Sequence, residues 1–354
     1  MGFWEDLKNR IFRKNKTALP EPVLKTQKID NTKFNEMVNV GFTPEPPKAY
    51  YPPVGSLEFA LQQYIYGLQF QQEKGIPFSS YKALTGICGM DVSNPGMNYQ
   101  NEENFISKIS HDRNVNLIDQ KAGDKSVAFR HIQHGRSGRD TDTRLYVNCK
   151  RENIAALADK FYEEFGNTPY YFKFCSDQQA SNTRRSEQFV FYLSSEPQEL
   201  NRVIETIERT RQKNPHLFEG AKNINPFMRD VKGYIGYAPN IDTDEFTCIN
   251  GTKKPLSARS YNTLLGESLT DCFTSAIKDL VHKDYDLSSM IGGQHFPGPV
   301  PYINSVLKTI NGNPEYQKQL IEKMKANLAI SSEKNPLLSI RGLEQYKSQQ
   351  FAGR

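Results

Sequence analysis

The chain has 354 residues, with 45 Lys plus Arg against 40 Asp plus Glu and a net charge of +5. That bias is too small to point to nucleic acid, and no nucleic-acid partner is expected from it. Apolar content of 37% lies below the roughly 45–50% usual for compact globular chains, which predicts a packed core joined to poorly packed segments.

No run approaches the roughly 18 apolar residues of a membrane helix, and the opening residues lack a secretory h-region. The expectation is a soluble protein made in a bacterial cytoplasm. Cys88, Cys149, Cys175, Cys248 and Cys272 are odd in number and form no CxxC pair, so neither a disulfide framework nor a zinc site is expected. His131 and His134 stand at HxxH spacing, but on a strand an offset of three sends the rings to opposite faces. No metal is expected there, and P-loop, GxGxxG and GxSxG patterns are absent.

Residues 1–55 read as an amphipathic helix followed by a proline-rich arm or linker. Phe3, Trp4, Leu7, Ile11 and Phe12 share a helical face ringed by Lys8, Arg10, Arg13, Lys14 and Lys16. A short helix docked on the protein is the plainer reading, and a weak contact with an anionic membrane surface through residues 3–16 is the other. Residues 56–125 read as a mostly helical region, opened by Ser56 as a cap for a helix carrying Leu57, Phe59, Leu61, Ile65, Leu68 and Phe70.

Residues 126–354 read as an α+β domain with a helical C-terminal part. Strands are expected at 127–134, 143–149, 170–175, 188–193 and 234–237, with helices at 151–165, stopped by Gly166, and at 199–211. Two more helices are expected near 260–282 and 313–328. The order predicts an antiparallel sheet with helices packed on one face.

Alternate strand residues point to opposite faces, so burying Leu145, Val147, Phe172, Phe174, Phe189 and Phe191 leaves Arg144, Tyr146, Asn148, Tyr171, Lys173, Gln188 and Tyr192 together on the other side. One-sided antiparallel sheets present polar outer faces for no functional reason. This set, however, holds cations and hydroxyls without a carboxylate, the inventory that holds a phosphate or another oxyanion. Arg184, Arg185, Arg136 and Arg139 lie in the loops leading to these strands.

The segments TRLYVNC, YYFKF and RRSEQFVFYL resemble the HopA-type effectors of plant-pathogenic bacteria and their relatives encoded beside lanthipeptide precursors, which are similar in turn to phosphothreonine lyase effectors. The likeness spans about residues 129–273. It implies β-elimination of phosphate from phosphothreonine or phosphoserine in a protein or peptide, with no metal or organic cofactor. Carried over, Lys173 falls on the general base, Arg144 on the first basic residue and Tyr192 on the active-site tyrosine.

Two positions depart from the family pattern. Tyr146 stands at the acid histidine, with His131 as a competing proton donor, and Tyr171 stands at a second lysine. Arg144, Arg184, Arg185 and Arg259 are the candidate phosphate ligands. A non-catalytic module that docks a phosphorylated or acidic protein through the same face is the alternative, and an RNA-binding sheet a third reading. Delivery into a host as an effector and retention in the producing cytoplasm both fit.

Overall fold

A computed structural model describes residues 52, 56–73, 99–121, 127–135, 141–176, 188–219, 227–256, 258–283, 306–310, 312–340 and 342–343. The expected helix over 3–16, most of the proline-rich arm, and Arg136, Arg139, Arg184 and Arg185 lie outside them.

Helices α1 (Leu57–Glu73) and α2 (Tyr99–Ser110) precede strands β1 (Val115–Lys121), β2 (Val127–His134) and β3 (Thr143–Val147). Then follow α3 (Ile154–Phe165), β4 (Tyr170–Cys175), β5 (Phe189–Leu193), α4 (Pro197–Lys213), β6 (Arg229–Asp230) and β7 (Ile235–Pro239). A hairpin of β8 (Glu245–Thr247) and β9 (Lys253–Pro255) leads to α5 (Tyr261–Lys283) and α6 (Pro314–Lys334). The main sheet has seven strands in the order β1-β2-β4-β5-β3-β7-β6, all neighbours antiparallel.

The element ends follow local chemistry. Ser56 Oγ accepts from Phe59 N at 3.1 Å and so caps α1. Asn313 caps α6 by accepting from the amides of Glu315 and Tyr316, with Pro314 in the first turn, where its missing N–H is harmless. Gly166 closes α3 at φ 51, a backbone that favours glycine. α4 starts two residues before its expected position because Pro197 pre-sets the first helical turn.

One sheet face is the expected core. Ile154, Leu157, Ala158, Phe161 and Phe165 of α3, with Val203 and Ile207 of α4, bury Leu145, Val147, Phe172, Phe174, Phe189 and Phe191. Phe161 is the hub, edge-on to Phe189 at 5.2 Å and to Phe191 at 5.1 Å, the geometry aromatic quadrupoles favour.

The opposite face also carries a helical layer, which the alternation of polar residues did not suggest. Tyr146, Val190, Tyr192 and Ala238 join one apolar core with Leu61 and Ile65 of α1, Tyr261 and Leu265 of α5, and Leu320 and Met324 of α6. Tyrosines can serve here because their rings bury as apolar bodies.

The region read as helical up to residue 125 holds α1 and α2 and then turns into β1, the edge strand beside β2. α2 is tied down by a buried ion-pair cluster on the first face. Arg130 Nε bonds Glu102 Oε1 at 2.7 Å, and its other nitrogens bond Glu103 and both Asp119 oxygens at 3.0 Å. Burial alone would lower the Arg130 pKa, but Glu102 and Asp119 outweigh it and raise it.

Phe161→Ala would leave a cavity between three aromatic strands and α3. The expected cost is about 3–5 kcal/mol, read as a fall in the denaturant midpoint at unchanged m-value. A loss below about 1 kcal/mol would show that Phe161 does not organise this core.

Candidate functional site

Register places the candidate residues in transverse rows on the second face. β2 pairs with β4 so that His131 opposes Lys173 and Gln133 opposes Tyr171. β4 pairs with β5 so that Lys173 opposes Val190, and β5 pairs with β3 so that Tyr192 opposes Arg144 and Val190 opposes Tyr146. One row therefore runs Gln133, Tyr171, Tyr192, Arg144, and the next His131, Lys173, Val190, Tyr146.

Burial on this face decreases from β5 toward β1. Val190, Tyr146 and Tyr192 are buried, Arg144, Tyr171, Lys173 and His131 are half-buried, and Asn116, Ile118 and Gln120 on β1 are exposed. The half-buried cations flank the buried Tyr192 on either side, Lys173 on β4 and Arg144 on β3.

Aromatic stacking organises it. The rings of Tyr171 and Tyr192 stack with centroids 4.3 Å apart and planes 19° apart, and His131 lies against Tyr171 at 5.9 Å and Tyr192 at 6.4 Å. Two cations lie against the same Tyr192 ring, Arg144 at 5.1 Å and Lys173 at 5.9 Å. Lys173 Nζ also sits 4.5 Å from the Phe129 ring centre. Each such contact favours the charged form by about 0.5–2 kcal/mol, depending on exposure.

Arg144 is held by oxygens that carry no formal charge. Its Nε donates to Asn240 Oδ1 at 2.9 Å, and its NH2 donates to the same oxygen and to the Arg259 carbonyl at 3.2 Å. Asn240 is fixed in turn by donating to the Thr141 carbonyl. Among the described residues no carboxylate pairs with Arg144.

His131 is fixed at both nitrogens. Nε2 lies 3.1 Å from Gln120 Oε1 and Nδ1 lies 2.8 Å from the Tyr171 hydroxyl. Burial first, and then the Lys173 charge, lower its pKa to about 4, so the ring is neutral at pH 7. Burial first, and then Tyr192, push the Tyr171 phenol up to about 12. Burial also raises Tyr192, against the pull of Arg144. The neutral members stay neutral, and Lys173 and Arg144 supply the positive charge.

The sheet thus brings together Lys173, Arg144, Tyr192 and His131. Tyr146 shares their face but is only 3% exposed within the second core, near Tyr261, which withdraws it from the half-buried cluster. Arg259 lends its carbonyl to Arg144 while its guanidinium is ion-paired with Asp244. His134 stacks on Tyr170 at 5.4 Å on the first face, away from His131, as strand parity requires. Gln133, Gln120, Asn116 and Asn240 are additions from the structure. Their signal is a side-chain bond to a member of the cluster from a neighbouring strand or its end, and it is invisible before the strands are paired.

No protein-family model matches the chain, and no curated protein matches it. Two of the solved structures to which the chain is similar are effector proteins. One is the effector protein from Pseudomonas syringae pv. syringae strain 61, at TM-score 0.42 and 13% identity over 79% of this chain and 98% of that one. The other is the effector protein from Pseudomonas syringae pv. tomato strain DC3000, at TM-score 0.39 and 13% identity over 74% and 97%.

The depressed His131 pKa has a consequence for stability. Its unfolded value is about 6.5, so between there and about 4 the unfolded chain binds more protons. The contribution is complete above about pH 6.5 and is lost as pH falls toward 4, by up to about 3 kcal/mol. His131→Gln should lose less stability than the parent between pH 7 and 4.5 in urea titrations, and the His131 ring resonances should titrate near 4. A midpoint near 6.5 would mean the ring is solvated.

Proposed function

We propose that the chain binds a phosphomonoester on a protein or peptide beside Arg144 and Lys173. The observation that carries this reading is the half-buried Arg144 guanidinium, whose partners are uncharged oxygens and which shares the Tyr192 ring with a second cation. Removing a charge from water without an opposite charge is costly. A phosphate dianion would relieve that cost at Arg144 and can accept bidentate hydrogen bonds from arginine. Arg184 and Arg185, outside the described residues, are the proposed loop contribution, and Arg259 would join only by leaving Asp244.

The second reading is β-elimination of the phosphate, as the likeness to the lyase families implies. It is favoured by one observation, the placement of Lys173 and Arg144 on a single sheet face, which a base and a phosphate ligand must share. Two features weigh against it. Aromatic rings around Lys173 favour its ammonium form, whereas a base must be neutral. The neutral His131 and the raised phenols are also poor proton donors near pH 7, so the leaving phosphate would depend on cations alone.

Phosphorylated and unphosphorylated forms of a threonine peptide library separate these readings. Preferential capture of phosphopeptides that remain intact by mass spectrometry is expected for binding, and loss of phosphoric acid for elimination. Equal affinity for both forms would remove the phosphate site. Arg144→Ala should weaken phosphopeptide binding by about 1.5–3 kcal/mol. Lys173→Arg should keep binding and abolish any elimination, since guanidinium supplies no neutral amine at pH 7.

A further inference from the structure

The two ends of the main sheet are not alike. At one end β6 has two residues, Arg229 and Asp230, and a very short edge strand is a usual protection against pairing with another chain. At the other end β1 runs for seven residues without proline or glycine, and among the described residues it pairs with β2 alone. The irregularity in that ladder leaves its extra residue, Ala128, on β2 and keeps β1 regular. Five of the seven β1 residues are exposed, and Ile118, at 45%, is one of two exposed large apolar side chains among the described residues. An exposed strand of this length is a template for a further strand.

The side chains of β1 select what that strand is. Asn116, Ile118 and Gln120 point to the second face. Asn116 donates through Nδ2 to Gln133 Oε1 at 3.3 Å, which keeps its Oδ1 as an acceptor. Gln120 engages its Oε1 with His131 Nε2 at 3.1 Å, which keeps its Nε2 as a donor. The two amides flank Ile118 symmetrically and have spent opposite halves.

We propose that the occupant is a second copy of this chain, paired antiparallel through β1 about a two-fold axis at Ile118, so that two seven-stranded sheets join edge to edge. Across that axis Ile118 stands opposite Ile118, Asn116 opposite Gln120, Leu117 opposite Asp119 and Val115 opposite Lys121. Gln120 Nε2 then donates to Asn116 Oδ1 on each side of the axis, and the two Ile118 side chains cover each other. Directly opposed residues lie about 4.5–5.5 Å apart at Cβ, within reach of both contacts. No like charges face each other in this register. An axis at Asp119 would set two carboxylates opposite each other, and an axis at Leu117 would set Asn116 against Ile118 and lose the amide pairs. The axis at Ile118 also joins the bonds Tyr171–His131–Gln120 of one copy to Asn116–Gln133–Tyr171 of the other. The polar rims of the two candidate sites thereby become one network, although the pairing itself does not depend on the phosphomonoester reading.

Pairing along seven residues is at the small end of specific interfaces, so the dissociation constant is expected on the order of 10–100 μM. Sedimentation velocity of the full chain between about 5 and 500 μM should show monomer passing to dimer, and the β1 amides should exchange with deuterium more slowly at the higher concentration. Ile118→Lys sets two ammonium groups opposite each other and should raise the dissociation constant at least about tenfold. Its denaturant midpoint should stay near that of the parent, because the residue is exposed. Ile118→Cys places thiols across the axis and should give a covalent dimer on mild oxidation, whereas Lys121→Cys, opposite Val115, should not exceed the parent chain. A chain that stays monomeric at about 500 μM leaves the edge to another occupant and overturns the proposal. A dimer unmoved by Ile118→Lys, β1 exchange independent of concentration, or equal cross-linking of the two cysteine variants overturns it as well.

Discussion

A strand buried on both faces has no side to give to water, and β5 is such a strand. All five of its residues are buried. Phe189, Phe191 and Leu193 enter one core and Val190 and Tyr192 the other. Burying a large apolar side chain is worth about 1.5–3 kcal/mol, so this one strand requires a helical layer on each side. Its neighbours β4 and β3 inherit the same two layers, and the strands farther out on the β1 side need less cover. The half-buried members of the cluster flank β5, with Tyr171, Lys173 and His131 on its β1 side and Arg144 on β3 on its other side.

At that boundary the sheet needs side chains that are apolar on one end and polar on the other. Tyr171 and Tyr192 meet the need, with stacked rings that extend the second core and a Tyr171 hydroxyl that enters the polar chain through His131. The same partial burial raises the phenols and lowers the imidazole, so neither carries charge at neutral pH. Cations beside neutral rings are the inventory the proposed phosphate site would use, and neither the His131 imidazole nor the Tyr171 phenol is matched to proton transfer to a departing phosphate.

The strands that carry this chemistry were legible because their alternation is clean. TRLYV, YYFKFC and FVFYL put aliphatic and phenylalanine residues on one parity, and that parity is the first core. The second helical layer was hidden because the other parity reads as polar. Tyr146 and Tyr192 look like surface residues until α5 and α1 are seen against them. β1 was hidden for a different reason. VNLIDQK has neither a long apolar run nor a β-branched-rich pattern, and its stability comes from pairing with β2 and from Asp119 bound to Arg130. Strand order was not legible either, since β4 inserts beside β2 and β3 lies beyond β5. Without it, His131 could not be set opposite Lys173.

Two arginines on one sheet show how environment separates a structural cation from the proposed anion ligand. Arg130 is 5% exposed, and each of its nitrogens is bonded to a carboxylate, so its charge is fully compensated. That arrangement fixes α2 and β1 to β2 and leaves nothing for a ligand. Arg144 is less buried, is oriented by Asn240 and a backbone carbonyl, and leans on an aromatic ring. Those partners set its direction without cancelling its charge. Orientation without neutralisation is what an anion site asks of an arginine, since the field it offers is preserved and the entropy of ordering the side chain has already been met by the fold.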